Sequence, residues 1–539
     1  LIIYLPACAQ STLHQSNERR LLDNNVIART TVLFNNKAEI IPLKDLEHEK
    51  IASVNMGASF SSNFDSLLNK YAAVASFTST NYNTDSVNLD DLSDDLKFFN
   101  TVVIEVTDQS IKDPRTIAFL LDIQHNKHLI VSLFGSDKSL KLLQDINAPV
   151  IWSEKESASS AEFVAQVIFG GIGVSSRLAH NISEKYSRNA GFDTKATRLK
   201  YSVPEETGIN AIDLKSIDDI AAEAISEKAT PGAVVMVVKD GVVIFNKSYG
   251  KHTYEGSEPT LITDIFDLAS VTKVSATTMA VMRLYEQDKL KLDTNLGAYI
   301  PKARKTNKNN ITVREVMLHQ AGFVPFIPFY KHLGSADFSR DSSAAFPVKA
   351  ADNYYMRKGY FAKVMWPEML NSPIVTRGKY VYSDLSMYFM KEIVERQSGQ
   401  HLENYVLDKF YKPLGMKTAG FNPRNRFSKD QIIPTENDLT FRKTLLQGYV
   451  HDQGAAMVGG VSGHAGLFAS ANDLAIEYQM VLNGGSYGST QYFKPETLKM
   501  FTAKQSPVSR RGLGFDRYDA ESKQGYPSKL ASSETYGHT

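Results

Sequence analysis

From residue 30 to about 200, short apolar runs alternate with polar or amphipathic stretches. The runs at 51–54, 72–77, 102–106, 129–134 and 149–152 are four to six residues long and rich in Val, Ile, Leu and Phe, as buried strands are. Helical patterns fall between them at 115–124 and 139–145, and a further one follows at 160–169. This alternation predicts an α/β domain with a doubly wound, mostly parallel sheet over residues 30–200. The stretch 201–212 is polar and holds Pro204 and Gly208, which reads as a linker. Beyond it the apolar spacing turns helical at Ile217, Ile220, Ala221, Ala224 and Ile225. Two β-branched runs follow, 233–238 and 242–245, joined through Lys239-Asp240-Gly241, a strong hairpin signal. A helix followed by a hairpin predicts an α+β second domain, 213–539, with an antiparallel sheet covered by helices.

Composition narrows the function classes. The 539 residues are 42% hydrophobic and 22% charged, with a formal net charge of +1, a balance that does not point to nucleic acid or an acidic partner. No apolar run reaches the roughly 20 residues of a membrane-spanning helix. The only cysteine, Cys8, excludes an internal disulfide. It lies in Leu1-Ile2-Ile3-Tyr4-Leu5-Pro6-Ala7-Cys8-Ala9-Gln10, an apolar run with small residues at its end. Residues 1–29 therefore read as the remnant of an export signal, and the run resembles a lipoprotein box in which Cys8 would be acylated. That predicts an exported or periplasmic protein with membrane anchoring through Cys8. Gly170, Gly171 and Gly173 fail the dinucleotide-binding pattern because Ser176 stands where its last glycine should be. There is no H-E-x-x-H or Cys/His cluster, so no metal or other cofactor is indicated.

The chemistry concentrates in Phe266-Asp267-Leu268-Ala269-Ser270-Val271-Thr272-Lys273, which opens a helical run with apolar Val274, Val281, Met282 and Tyr285. Ser270 and Lys273, three apart at a helix start, share one face. A serine hydroxyl needs an adjacent base to become a nucleophile, and a partly desolvated Lys near a positive helix end can supply it. The helix start also aims backbone N–H groups at a developing oxyanion. This segment resembles the nucleophile motif of class C β-lactamases, D-alanyl-D-alanine carboxypeptidases and related esterases. The resemblance continues through Lys289-Leu290-Lys291-Leu292-Asp293, Ile311-Thr312-Val313-Arg314-Glu315-Val316-Met317-Leu318-His319-Gln320-Ala321-Gly322, Lys412-Pro413-Leu414-Gly415-Met416 and Ser462-Gly463-His464-Ala465-Gly466-Leu467-Phe468. It implies the β-lactamase/transpeptidase fold with a helical subdomain.

The same resemblance assigns the remaining site residues. Tyr382 in Tyr380-Val381-Tyr382-Ser383-Asp384 matches the family Tyr that shares the Ser/Lys proton network, and Asp384 replaces the usual Asn. A carboxylate only accepts hydrogen bonds. Near Lys273 it would favour the ammonium, weaken the base and leave more work to Tyr382. His538 in Tyr536-Gly537-His538-Thr539 matches the first residue of the third motif, which contacts the substrate carboxylate, and with an ordinary imidazole near 6.5 that contact would depend on pH. His319 reads as a packing residue, His451-Asp452 as part of a loop near the site and His464 as part of a glycine-rich loop. The family continues past this motif, so the domain is expected to be incomplete at Thr539 and weak or inactive as it stands.

The first half resembles the C-terminal α/β domain of family 3 glycoside hydrolases through Thr31-Val32-Leu33-Phe34-Asn35-Asn36, Ile41-Pro42-Leu43, Ile130-Val131-Ser132-Leu133-Phe134-Gly135 and Tyr201-Ser202-Val203-Pro204-Glu205-Glu206. That family's catalytic barrel is absent from this chain, which implies an accessory module. The expected function is acyl-enzyme hydrolysis of an ester, a D-alanyl peptide or a β-lactam, with a small-molecule or peptidoglycan-derived substrate. The alternatives are a β-N-acetylhexosaminidase whose barrel is missing, and a penicillin- or wall-binding module without turnover.

Overall fold

The computed structural model describes residues 7–82, 88–519, 528 and 530–539, with side chains from residue 13 onward. Its first half is a six-stranded sheet built from β1 (Val32–Phe34), β2 (Ile51–Met56), β3 (Val74–Thr78), β4 (Thr101–Thr107), β5 (His128–Phe134) and β6 (Val150–Ser153), in the order β1-β6-β5-β4-β2-β3. All neighbours are parallel except the edge pair, where β1 runs antiparallel to β6. Successive residues of a strand face opposite sides. Accordingly, Val102, Ile104 and Val106 meet Phe119, Leu120 and Ile123 on one face, while Val103, Ile130 and Ile151 meet Phe64, Leu68 and Val164 on the other. The covering helices are α2 (Ser61–Tyr71), α3 (Leu89–Asp95), α4 (Pro114–Asn126) and α5 (Ala158–Phe169). Their ends are written locally: Asp113 caps α4 ahead of Pro114, and Gly170 closes α5 at φ 75°.

Two readings of this half change. Residues 137–143 form a 3₁₀ segment rather than an α-helix. The supposed leader is largely a 24-residue helix, α1 (Ala7–Thr30), although residues 1–6 and the Cys8 side chain lie outside the described residues. The helix is docked: Arg20 pairs with Glu162 of α5, Asn17 Nδ2 donates to Glu205 Oε2 at 2.9 Å, and Ile27 is buried. No helix among the described residues is long and apolar enough to cross a membrane.

In the second half the predicted hairpin is present as β8 (Gly232–Lys239) and β9 (Val242–Gly250), preceded by α6 (Lys215–Ser226). Asp240 at φ 52° and Gly241 at φ 78° supply the two left-handed residues that its tight turn requires. The linker reading needs correction at its start. Lys200–Tyr201 forms β7, which pairs parallel with β9, so this sheet is mixed rather than antiparallel. Lys200 N–H donates to the Gly241 carbonyl at 2.9 Å and Ser202 N–H to the Val243 carbonyl at 3.2 Å, a pairing that the polar composition did not reveal. Tyr71 O–H donates to the Leu199 carbonyl at 2.7 Å, Tyr201 O–H to Asn472 Oδ1 at 2.6 Å and Asn472 Nδ2 to the Lys70 carbonyl at 3.0 Å, joining the two halves. One continuous apolar core then runs through the second half, from Leu199 to Phe515.

Candidate active site

The strand β10 (Phe266–Asp267) pairs with Leu467–Ala469, which also pairs with Gly420–Phe421. From β10 the chain turns into a helical run that starts as a 3₁₀ turn (Ala269–Val271), widens to a π turn (Lys273–Thr278) and becomes α7 (Met279–Glu286). Two features fix the turn. Asp267 accepts from Ala269 N at 3.0 Å and from His451 N at 2.6 Å. Ala269 adopts φ 43°, a left-handed conformation unfavourable for a residue with a Cβ. Burial pushes the Asp267 carboxyl upward, against the backbone donors that favour its ionised form. Ser270 is therefore delivered on a strained corner, among the first N–H groups of a helical run, which have no intrahelical acceptor.

Lys273 is fully buried and its ammonium has three acceptors: Ser270 Oγ at 2.8 Å, Asp384 Oδ1 at 2.8 Å and the His464 carbonyl at 3.2 Å. An ammonium has three N–H donors, so all are engaged. Asp384 is the first residue of the helix Asp384–Ser398, where the positive helix end favours a carboxylate. Behind it, His464 Nε2 lies 2.8 Å from Asp452 Oδ1, and His464 Nδ1 lies 2.8 Å from Ser462 Oγ. Burial alone would raise Asp452, but His464, the Ala455 N–H and Lys273 outweigh it and hold the carboxyl well below the usual range. Ligand atoms of Asp384, Asp452 and His464 lie within 4.8 Å of one another. Lys273 already provides the cation on Asp384, and His464 already meets Asp452, so this trio is satisfied internally.

Tyr382 also reaches the site, but by its ring. Lys273 Nζ lies 4.9 Å from the ring centroid, and the hydroxyl makes no hydrogen bond among the described residues. The expected sharing of the Ser/Lys proton network is therefore not formed in this arrangement. His538 is adjacent, its ring 6.0 Å from that of Tyr382. Burial, with Arg511 and Lys273 nearby, pushes its imidazole down to about 4. A contact titrating near 6.5 is thus corrected to a neutral imidazole throughout the neutral range. His319 is buried, its Nδ1 accepts from Ser383 N at 3.2 Å, and burial lowers it well below an ordinary imidazole, which fits a packing residue.

Three features were missed by sequence reasoning. His464 lies on the expected glycine-rich loop, and its carbonyl also holds Lys273. Asp267 precedes the nucleophile by three residues and braces its turn. Arg511 lies against Tyr380 and Tyr382, its Cζ 5.5 and 5.4 Å from the two ring centroids. The sole signal for it was a pair of arginines before Gly512-Leu513-Gly514.

Known proteins are similar to this chain over more than half of its length. The chain is 32% identical over 368 residues to an Escherichia coli protein described as "Putative D-alanyl-D-alanine carboxypeptidase", covering 63% of this chain and 80% of the relative. It is 34% identical over 351 residues to an N-acetylmuramyl-L-alanine amidase of Bacillus subtilis, covering 60% and 76%. Among solved structures, an octameric penicillin-binding protein homologue from Pyrococcus abyssi aligns at 21% identity with a TM-score of 0.43, covering 57% of this chain and 65% of that one. Residues 217–539 match the family model described as Beta-lactamase, more than half of the chain, and on that match the protein belongs to the β-lactamase family and is an enzyme of the serine-hydrolase type.

Proposed function

We propose that the protein cleaves an acyl donor of the cell wall, a D-alanyl peptide derived from peptidoglycan, through an acyl-Ser270 intermediate. The observation that carries this reading is the 2.8 Å contact between Ser270 Oγ and Lys273 Nζ on a strained helix start. The wall-directed names of the carboxypeptidase and amidase relatives support the substrate class and a location outside the cytoplasm.

With all three N–H groups engaged, Lys273 must lose a proton before it can accept one. Asp384, at 2.8 Å, is the nearest acceptor able to hold it. The amine lone pair then takes the Ser270 proton as Oγ attacks the carbonyl, and Lys273 passes that proton to the leaving amine as the tetrahedral intermediate collapses. Water enters by the same route in reverse and frees Ser270, and Asp384 returns its proton. Tyr382, its ring on Lys273, stands ready to contact the leaving group. We assign the first half, about 30–200, a docking role beside this domain, with the boundary in the segment that follows β7.

Mass spectrometry after exposure to an activated D-alanyl ester tests the reading. A transient acyl adduct on Ser270, absent in Ser270→Ala, is expected. A lasting adduct with no product release instead means a binding module, and labelling at another residue overturns the assignment.

A further inference from the structure

Arg442 and Asp438 form a fully buried ion pair that the chemistry proposed above does not use. Asp438 Oδ1 accepts from the Thr440 and Phe441 N–H groups at 3.0 and 2.8 Å. Its Oδ2 accepts from Arg442 N at 3.0 Å and Arg442 Nε at 2.8 Å. One carboxylate thus closes the turn between the paired strands Pro434–Asp438 and Thr444–Gln447. The other arms of the guanidinium leave this turn: Nη1 donates to the Val450 carbonyl at 2.6 Å and Nη2 to the His451 carbonyl at 2.7 Å. Both held peptides lead to the reaction centre. The His451 N–H donates to Asp267, which also accepts from Ala269 N beside Ser270. Asp452, the next residue, meets His464 Nε2 at 2.8 Å, and the His464 carbonyl accepts from Lys273 at 3.2 Å.

Resting on the acyl-Ser270 reading above, we propose that Arg442 is a positioning residue that sets the nucleophile and its base together through the segment 450–452. The Val450 carbonyl and the His451 N–H belong to one planar trans peptide, so holding the carbonyl aims the N–H at Asp267 on the opposite side. That contact braces the corner at Ala269. The His451 carbonyl belongs to the next peptide, which fixes the entry of Asp452 and, through His464, the third acceptor of Lys273. Apolar residues of similar volume fill an interior about as favourably as a buried ion pair. They cannot hold two successive carbonyls at set angles, which a rigid planar fork of donors does. A displaced segment shifts Ser270 Oγ against Lys273 Nζ, and proton transfer between them needs the 2.8 Å contact seen here. Arg442 lies behind this segment, so its loss should slow acylation and leave substrate affinity unchanged.

The test follows labelling of Ser270 in the full chain by a neutral fluorophosphonate, read by intact-protein mass. The final extent counts competent sites, and the rate reports how well each is placed. Arg442→Lys should label to the native extent but roughly 10- to 100-fold more slowly. With an activated D-alanyl ester, kcat should fall in step while KM stays within about twofold. An arginine that only stabilises the fold would lower the extent of labelling or the melting temperature and leave the rate per competent site unchanged, a result that overturns the proposal. Should Arg442→Lys not fold, Gly448→Ala displaces the same segment without touching the buried pair. Gly448 sits at φ 78°, and a Cβ there would come within 2.5 Å of Arg424 Cγ. Slower labelling to full extent in Gly448→Ala supports the proposal, and a native rate overturns it. Native protein that does not label at Ser270 refutes the nucleophile and this proposal with it, whereas native protein that labels no faster than Arg442→Lys refutes the role of Arg442 alone.

Discussion

Asp384 is the residue that most distinguishes this site, because it puts a carboxylate where a neutral amide would leave Lys273 freer. Asp384→Asn removes the acceptor that takes the Lys273 proton in the proposed cycle, so single-turnover acylation should slow at least tenfold. His538 remains neutral down to about pH 4, so a rate limb near neutrality does not belong to this histidine. An unchanged acylation rate in Asp384→Asn would defeat the idea. Ala269 offers a second test at this scale. Glycine adopts φ 43° without a Cβ penalty, so Ala269→Gly should stabilise the fold by about 0.5–1 kcal/mol while losing several-fold in kcat as Ser270 loses its fixed approach. A lower melting temperature would show that the corner is not strained. The motif residues here were legible in the sequence because the chemistry demands residue types at short spacing. Arg511 was not, since its meaning depends on which rings and carboxylates surround it.

At the level of elements, the site is a meeting of one helical run, one helix start and one glycine-rich loop. Gly463 makes that meeting close: a Cβ there would come within 2.1 Å of the Met387 carbonyl in the helix Asp384–Ser398. Backbone cannot retreat cheaply, so Gly463→Ala should push the loop away and lift the His464 carbonyl off Lys273. A loss of roughly 1–3 kcal/mol is expected from the overpacking, together with at least tenfold in kcat. Thermal melting and single-turnover acylation measure both, and wild-type values for either would contradict the close approach. The sequence marks a glycine-rich loop here but not its hold on Lys273, because contact with a carbonyl leaves no mark on residue identity. The π turn is similarly invisible in apolar spacing. Thr278 Oγ1 donates to the Lys273 carbonyl at 2.8 Å within it, and such turns recur at functional positions.

Across the whole molecule, the first half carries a buried electrostatic liability. Glu105 on β4 is 1% exposed, neither carboxylate oxygen has a partner among the described residues, and burial, with Asp65 and Glu156 nearby, raises it to about 9. The folded carboxyl therefore stays protonated between about 4.5 and 9, while the unfolded one ionises. Stability falls as pH rises through that window. Glu105→Gln should match the native protein below pH 4.5 and exceed it by about 3 kcal/mol at pH 7, read by denaturant unfolding at several pH values. Equal pH dependence in both proteins would place a partner on Glu105. If the two halves unfold separately, only the transition of the first half should move.

Tyr382 and Asp384 were reached only through a family resemblance; by itself the sequence determined the alternation that makes a mostly parallel sheet, the Asp-Gly hairpin and the Ser270–Lys273 spacing. These follow from local rules, in which period, turn chemistry and residue type at fixed spacing act within a few positions of one another. Only the tertiary structure decided that α1 is a docked helix, that Lys200–Tyr201 joins a sheet, that Lys273 lies over the Tyr382 ring and that Arg511 packs against the rings of Tyr380 and Tyr382. Each of those depends on a neighbour tens to hundreds of residues away. Burial and the satisfaction of donors are properties of the assembled interior, where a low dielectric makes an unmet polar group costly.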